Sequence, residues 1–306
     1  MKTLRSCDNT DEWKEVAMSD NDTTSRRDML KGAGAVALGV AATNVLPATE
    51  VSAAKKAKTR WAFIVDLRRC VGCRTCTIAC KAEFNVPLGR WRAVIKTVDW
   101  GKYPTNRRAF VPRLCNHCAG EIGTKGQKSD VPPCVEKCPE AKSGKRAKFQ
   151  GVRYRTGATY KRPDGMILFD NSLCIGCYKC IKACPYGVRY VNPAIKLTKP
   201  NRENDHGIGK CTFCEHRVDK GIEPACVQAC PHGARKFGDM NDPSSEVSKL
   251  IKEFSLDKNR DKTTLLPQEK TKPHVFYIDP EGILGRYKFD NKDQEKKVAE
   301  YRDRII

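Results

Sequence analysis

The sequence predicts an α+β fold of short strands and one-turn helices joined by long irregular loops, and three observations predict it. Sixteen of the seventeen cysteines fall into four tight quartets. Short, β-prone apolar runs, Trp61-Ala-Phe-Ile-Val-Asp66 and Met166-Ile-Leu-Phe169-Asp170, feed directly into the first and third of them. The two halves also repeat. Val65-Asp66 through Cys70-Val-Gly-Cys73 matches Phe169-Asp170 through Cys174-Ile-Gly-Cys177, and Pro133-Cys134-Val-Glu-Lys-Cys138-Pro139 matches Ala225-Cys226-Val-Gln-Ala-Cys230-Pro231.

The third quartet states the chemistry most plainly. In Cys174-Ile-Gly-Cys177-Tyr-Lys-Cys180-Ile-Lys-Ala-Cys184-Pro185, three cysteines stand two residues apart and a fourth follows three residues later, before a proline. That is the bacterial-ferredoxin run that ligates a [4Fe-4S] cluster. Three thiolates on one loop grip three corners of a cubane, and Gly176 lets the backbone pass close to the inorganic sulfides. One turn of nascent helix then carries Cys184 away from the first three and toward a second cluster, and Pro185 stops that helix. A zinc knuckle wants two separated pairs around one tetrahedral ion, which this run does not supply.

The first quartet, Cys70, Cys73, Cys76 and Cys80, keeps the same spacing. The second is Cys115-Asn-His-Cys118, fifteen residues, then Cys134 and Cys138; the fourth is Cys211-Thr-Phe-Cys214, eleven residues, then Cys226 and Cys230. With the repeat, the unit is a two-cluster ferredoxin used twice. The predicted architecture is therefore a duplicated bacterial two-[4Fe-4S] ferredoxin-like fold over residues 54–240, holding four [4Fe-4S] clusters on sixteen cysteines.

Composition agrees. A chain of 306 residues with 40% apolar and 30% charged residues builds a modest core inside a polar shell, so the cofactors act as its staples. Seventeen cysteines in an exported chain would by default mean a disulfide framework, but quartets this tight make poor disulfide partners and natural cluster ligands. The formal charge of +21 suggests nucleic acid, an acidic partner or an anionic membrane surface. Four oxidised cubanes, each roughly −2 with its thiolates, reduce that excess without removing it. What remains is a solvated surface or a docking face.

Residues 1–53 read as an address. Ser25-Arg26-Arg27-Asp28-Met29-Leu30-Lys31 resembles the twin-arginine export signal, with Met29 where that signal usually has phenylalanine. A weakly apolar Ala/Gly-rich run from Gly32 to Leu46, then Pro47 and Val51-Ser52-Ala53, fits a removable segment and its cleavage site, and Cys7 leaves with it. The run is shorter and richer in small residues than the ~20 apolar residues of a membrane span. Export of a folded chain suits clusters assembled before crossing, so the expected location is periplasmic.

The stretch 141–156 interrupts the second quartet's continuation where the fourth runs on directly through His232-Gly233-Ala234; it is a strongly basic insertion, expected as a solvated or docking loop. Nucleic acid is not the expected partner, because export removes it. Beyond the fourth quartet, in 241–306, Val247, Leu250, Ile251 and Phe254 keep helical spacing, His274-Val-Phe-Tyr-Ile278 reads as a strand, and a polar tail ends the chain. No apolar span follows, so the chain is expected to reach a membrane only through a partner.

On the four quartets in this order, on Cys211-Thr-Phe-Cys214-Glu-His-Arg217, on Gly238-Asp239-Met-Asn-Asp242-Pro243 and on Lys272-Pro273-His274-Val-Phe-Tyr277, the mature chain resembles the four-cluster iron-sulfur subunits of molybdopterin oxidoreductases and their relatives. These include tetrathionate, thiosulfate and polysulfide reductases and the sulfite-reductase-associated membrane complex. The resemblance implies that each motif lends its fourth cysteine to another's cluster: Cys70, Cys73 and Cys76 with Cys230; Cys211, Cys214 and Cys226 with Cys80; Cys115, Cys118 and Cys134 with Cys184; Cys174, Cys177 and Cys180 with Cys138. It implies a wire in the order first, fourth, second, third, from a molybdopterin-type catalytic subunit to a polytopic, quinone-reactive membrane subunit. No ligand is replaced, so no three-iron centre is expected. The fifteen-residue spacer and the 141–156 insertion are longer than the tetrathionate branch suggests.

The expected function is single-electron transfer, with no catalytic residue of its own. His117 and His216 stand beside cluster cysteines, where they either tune potentials or serve structure. Two alternatives stay open: a free-standing periplasmic ferredoxin-like carrier and a basic nucleic-acid-binding cluster protein.

Overall fold

The Trp61–Asp66 strand is buried almost throughout because both of its faces are covered. Side chains alternate across a strand. Ala62 and Ile64 pack with Val247, Ile251, Leu256, Phe276 and Ile278, while Phe63 and Val65 enter the larger core that also holds Cys76, Cys80, Cys115, Cys118, Cys211 and Cys226. A computed structural model describes residues 59–122, 128–201 and 204–287; the export-signal reading of residues 1–53 and the polar end of the chain lie outside the described residues.

Trp61–Asp66 is the middle of a three-stranded sheet. Arg235–Asp239 pairs with it antiparallel, Val65 opposite Arg235, and Val275–Ile278 pairs with it in parallel, Phe63 opposite Val275. The helix expected near 242–254 runs over Glu246–Glu253 and sets Val247 and Ile251, one turn apart, against that sheet. The helix thus covers the sheet face turned away from the cysteines, and the C-terminal strand completes the sheet's edge.

A second sheet has the same logic on a smaller scale. Thr159–Lys161, after the second quartet, pairs antiparallel with Ile167–Phe169, before the third, with Thr159 opposite Phe169. Short helices begin at or beside cysteines and pack in pairs, Thr75–Glu83 on Ala225–Gln228 and Pro133–Glu136 on Lys179–Lys182. Mixed helices and strands with much irregular chain make an α+β fold, as expected.

Strands also form outside the apolar runs read from the sequence. Val94–Trp100 pairs with Arg107–Arg113, and Tyr190–Asn201 pairs irregularly with Asn204–Gly209. The basic insertion is a hairpin, Arg146–Phe149 against Val152–Arg155. Its turn residues, Gln150 and Gly151, both have positive φ, 46° and 78°, the requirement of a tight two-residue hairpin turn. Arg146, Lys148, Arg153 and Arg155 are exposed, while Phe149 lies under the Arg162 guanidinium at 4.2 Å and Tyr154 stacks on Tyr160. Among the described residues no helix is long and apolar enough to cross a membrane.

Candidate metal centres

The cysteine loops share one backbone feature. The residue before the second cysteine of every quartet has positive φ: Gly72 at 72°, His117 at 43°, Gly176 at 71° and Phe213 at 57°. This bends the loop so that amides turn back on the first sulfur. The Gly176 N–H donates to Cys174 Sγ at 3.5 Å and the Phe213 N–H to Cys211 Sγ at 3.4 Å. Glycine at 176 is also required by its surroundings, since a Cβ there would sit 2.4 Å from the Asn204 carbonyl oxygen.

The four quartets do not stay separate in space. Cys115, Cys118 and Cys134 line one space together with Cys184, which comes from the third quartet. Cys174, Cys177 and Cys180 line another together with Cys138, from the second. In the other half, the thiol of Cys80 is pushed up to about 12, by burial first and then by Cys226 and Cys214 of the fourth quartet. Cys211 has Cys80 among its charged neighbours, and Cys70 has Cys76 and Cys230. Cys73 is the exposed member of the sixteen.

The most deeply buried of these thiols resist ionisation. Burial pushes Cys184 up to about 11 and Cys214 to about 12, and holds Cys118 and Cys211 well above the ordinary thiol range. Bound metal would supply the positive charge that displaces the protons of such buried thiols. The polar lining fits such a group. Asn116 borders the Cys115/Cys184 space with neither side-chain amide atom hydrogen-bonded to protein. Among the described residues no three His, Cys, Asp or Glu side chains converge on a single ion.

Buried cations complete the lining. Arg189 borders the Cys115/Cys184 space, Lys210 donates through Nζ to the carbonyls of Ile167 and Cys211, and Arg235 is buried beside Cys226 and Cys76. Burial opposes the charge of both arginines, but the neighbouring thiolates outweigh it and hold them protonated. Sequence reasoning missed all three. One signal was present, an arginine five residues after the last cysteine in both Cys184-Pro-Tyr-Gly-Val-Arg189 and Cys230-Pro-His-Gly-Ala-Arg235.

The two histidines differ. His117 is fully buried: its Nδ1 accepts the Ile167 N–H at 2.9 Å, so Nε2 carries the proton and donates to the Cys211 carbonyl at 3.1 Å. Burial, then Lys210, holds it neutral. It ties the second quartet to the fourth. His216 lies near the surface, bonded to Glu83 at 2.7 Å, with Arg217 on the same carboxylate at 3.1 Å; together they tie the fourth quartet to the helix of the first.

Known proteins are similar to this chain. A family described as a 4Fe-4S dicluster domain matches residues 107–240. The chain is 35% identical over 222 residues to a tetrathionate reductase subunit of Salmonella typhimurium, covering 72% of each chain. It is 37% identical over 267 residues to the arsenate respiratory reductase iron-sulfur subunit of a Shewanella species, covering 74% of this chain and 100% of that one. It is 33% identical over 295 residues to an Hdr-like menaquinol oxidoreductase iron-sulfur subunit of Archaeoglobus fulgidus, covering 83% and 97%. With thiols of different quartets lining shared spaces and relatives matched over most of their length, the chain belongs to the [4Fe-4S] iron-sulfur subunits of molybdopterin oxidoreductase-type complexes.

Proposed function

We propose that the protein carries single electrons through four [4Fe-4S] clusters within an extracytoplasmic, membrane-associated respiratory complex, between a molybdopterin-type catalytic subunit and a polytopic, quinone-interacting membrane subunit. The observation that carries the reading is the exchange of fourth cysteines, Cys184 with Cys115, Cys118 and Cys134, and Cys138 with Cys174, Cys177 and Cys180. Bound clusters supply one-electron transfer, and the chain's own residues do the rest. Cys70, Cys73, Cys76 and Cys230 hold one centre, Cys80, Cys211, Cys214 and Cys226 another. The apolar and cationic lining excludes water and offsets the negative charge of the ligands.

The fold is a duplication in this reading. In each half the strand ahead of a Cys-x-Gly-Cys loop pairs antiparallel with the strand that follows a Cys-Pro step, and the cysteine-bearing helices pack against each other. The 54–240 and 241–306 segments serve as cluster carrier and cover. Arg26-Arg27 directs export of the loaded chain, which places it in the periplasm after removal of residues 1–53. The relative named as a menaquinol oxidoreductase subunit supports a quinone-linked partner. Exposed Cys73, with Val71 and Ile78 exposed nearby in the chain, offers the docking face for the catalytic subunit.

Purification of the native assembly tests this. Iron and sulfide for four clusters, together with co-purifying catalytic and membrane subunits, is the expected result. A fully loaded chain that migrates alone at low and high salt would mean a free-standing carrier instead.

A further inference from the structure

Arg189 and Arg235 occupy matched places, five residues beyond Cys184 and Cys230, and each stands between two sets of thiols. Arg189 is 2% exposed. It lines the space of Cys115, Cys118, Cys134 and Cys184, and its Nη1 donates at 3.3 Å to Thr159 Oγ1, which lines the space of Cys138, Cys174, Cys177 and Cys180. Arg235, 1% exposed, opens the strand paired to Val65, beside the packed helices that carry Cys76 and Cys226. Neither of its Nη atoms meets a hydrogen-bond acceptor of good geometry.

A guanidinium out of water needs a counter-charge, because burying an isolated charge costs more than folding tolerates. The two acids buried among the described residues, Asp66 and Asp164, are engaged by other arginines, Arg68 and Arg162. The anions that face Arg189 belong to Cys134, Cys180, Cys115 and Cys184, and those that face Arg235 to Cys226 and Cys76. Each group of anions spans two of the four-thiol sets.

We propose that Arg189 and Arg235 are shared counter-charges, each a positioning residue for two successive clusters at once: Arg189 for the centres built on the second and third quartets, Arg235 for those built on the first and fourth. The proposal rests on the cluster assignment above. Reduction adds one negative charge to a centre, and net charge around a cluster sets its potential. A fixed cation between two centres therefore raises both potentials together. It also lessens the repulsion between neighbours when both are reduced, which keeps successive steps of the wire close in energy.

The test is potentiometric titration of the full complex followed by paramagnetic resonance, with iron and sulfide counted in every preparation. Arg189→Gln is expected to lower the potentials of two centres by at least a tenfold change in reduction equilibrium, about 59 mV for one electron, and to leave the other two in place. Arg235→Gln is expected to lower the complementary two. Arg189→Lys and Arg235→Lys, which keep the charge and change the hydrogen bonds, are expected to retain wild-type potentials; where a Gln variant loses iron, the Lys variant decides the matter, and a lowered pair of potentials in it overturns the proposal. Full iron with unmoved potentials, a shift confined to one centre, or an equal shift at all four also overturns it. Wild-type protein lacking four clusters of iron would instead refute the cluster assignment.

Discussion

His117 and Phe213 stack face to face, 3.6 Å between ring centroids and 16° from parallel. Each is a non-glycine residue held at positive φ immediately before the second cysteine of its quartet. Such backbone costs on the order of 1–3 kcal/mol and persists only where the surroundings over-determine it. The stack, with the hydrogen bonds of His117 to Ile167 and Cys211, supplies that constraint and clamps two cysteine loops to one another.

Phe213→Ala is therefore expected to lose about 3–5 kcal/mol, as for other large aromatic truncations in a core. His117→Ala should also destabilise, and the double variant should cost less than the sum, because both singles remove the same contact. Thermal bleaching of the cluster absorbance measures it. Strict additivity would mean that the two rings do not support each other.

His274 gives a pH dependence with a definite sign. Its Nδ1–H donates to the His117 carbonyl at 2.8 Å and its Nε2 accepts from Arg60 Nε at 3.0 Å. Burial first, then the Arg60 charge, pushes it down to about 3. A histidine that is neutral when folded and protonates when unfolded gives stability that is complete above about pH 6.5 and is lost as pH falls toward the folded value. Between about pH 7.5 and 5.5 the expected loss is about 1.4 kcal/mol. His274→Asn should reduce that slope by this residue's share, leaving the part contributed by His117, which burial also holds neutral, and identical slopes for variant and parent would rule the assignment out.

What was legible in the sequence followed from local rules. Ligand spacing marked sixteen cysteines as candidate ligands, and short β-prone apolar runs marked Trp61–Asp66 and the strands Ile167–Phe169 and Val275–Ile278 within a residue or two. The hairpin in the insertion was written in the alternation of Arg146, Lys148, Arg153 and Arg155 with Phe149, Val152 and Tyr154 about Gln150-Gly151, but charge density made it read as loop. Arg189, Lys210 and Arg235 were hidden for a different reason. A basic residue in a chain of +21 is assumed to be solvated, and only tertiary packing shows which cations are buried. Gly176 was expected to admit sulfide; the Asn204 carbonyl also crowds it, a contact from a distant strand that no local pattern encodes.

The hairpin sets like charges opposite each other, Arg146 against Arg155 and Lys148 against Arg153. Such pairs are destabilising by about 0.2–1 kcal/mol each. Changing the four to glutamine should therefore leave iron content intact and slightly raise the stability of the isolated chain. If the face docks an acidic partner, the same variant should lose partner subunits at lower salt than wild type, since exposed charge pairs are screened over about 8 Å at physiological ionic strength. Unchanged assembly at every salt concentration would make the face merely solvated.

Arg26 and Arg27 carry the export assignment. With both changed to lysine, cluster-loaded protein should accumulate in the cytoplasm with residues 1–53 still attached. Cell fractionation and mass measurement read both outcomes, and normal export of the variant would remove the periplasmic assignment.

Cys184 lies in the third quartet by sequence, yet it lines the space of Cys115, Cys118 and Cys134. The chain accounts for the exchange: Lys179–Lys182 forms one helical turn after Cys177, and that turn carries Cys184 away from the Cys174 loop. Cys184→Ser is expected to perturb the resonance signal and potential that Cys118→Ser perturbs, while the centre that responds to Cys177→Ser keeps its thiolates. Cys138→Ser should show the converse, acting with Cys177→Ser, since Cys138 lines the space of Cys174, Cys177 and Cys180. Should Cys184→Ser alter the signal moved by Cys177→Ser and spare the one moved by Cys118→Ser, the exchange of fourth ligands is wrong, and with it the pairing of quartets into two-cluster units.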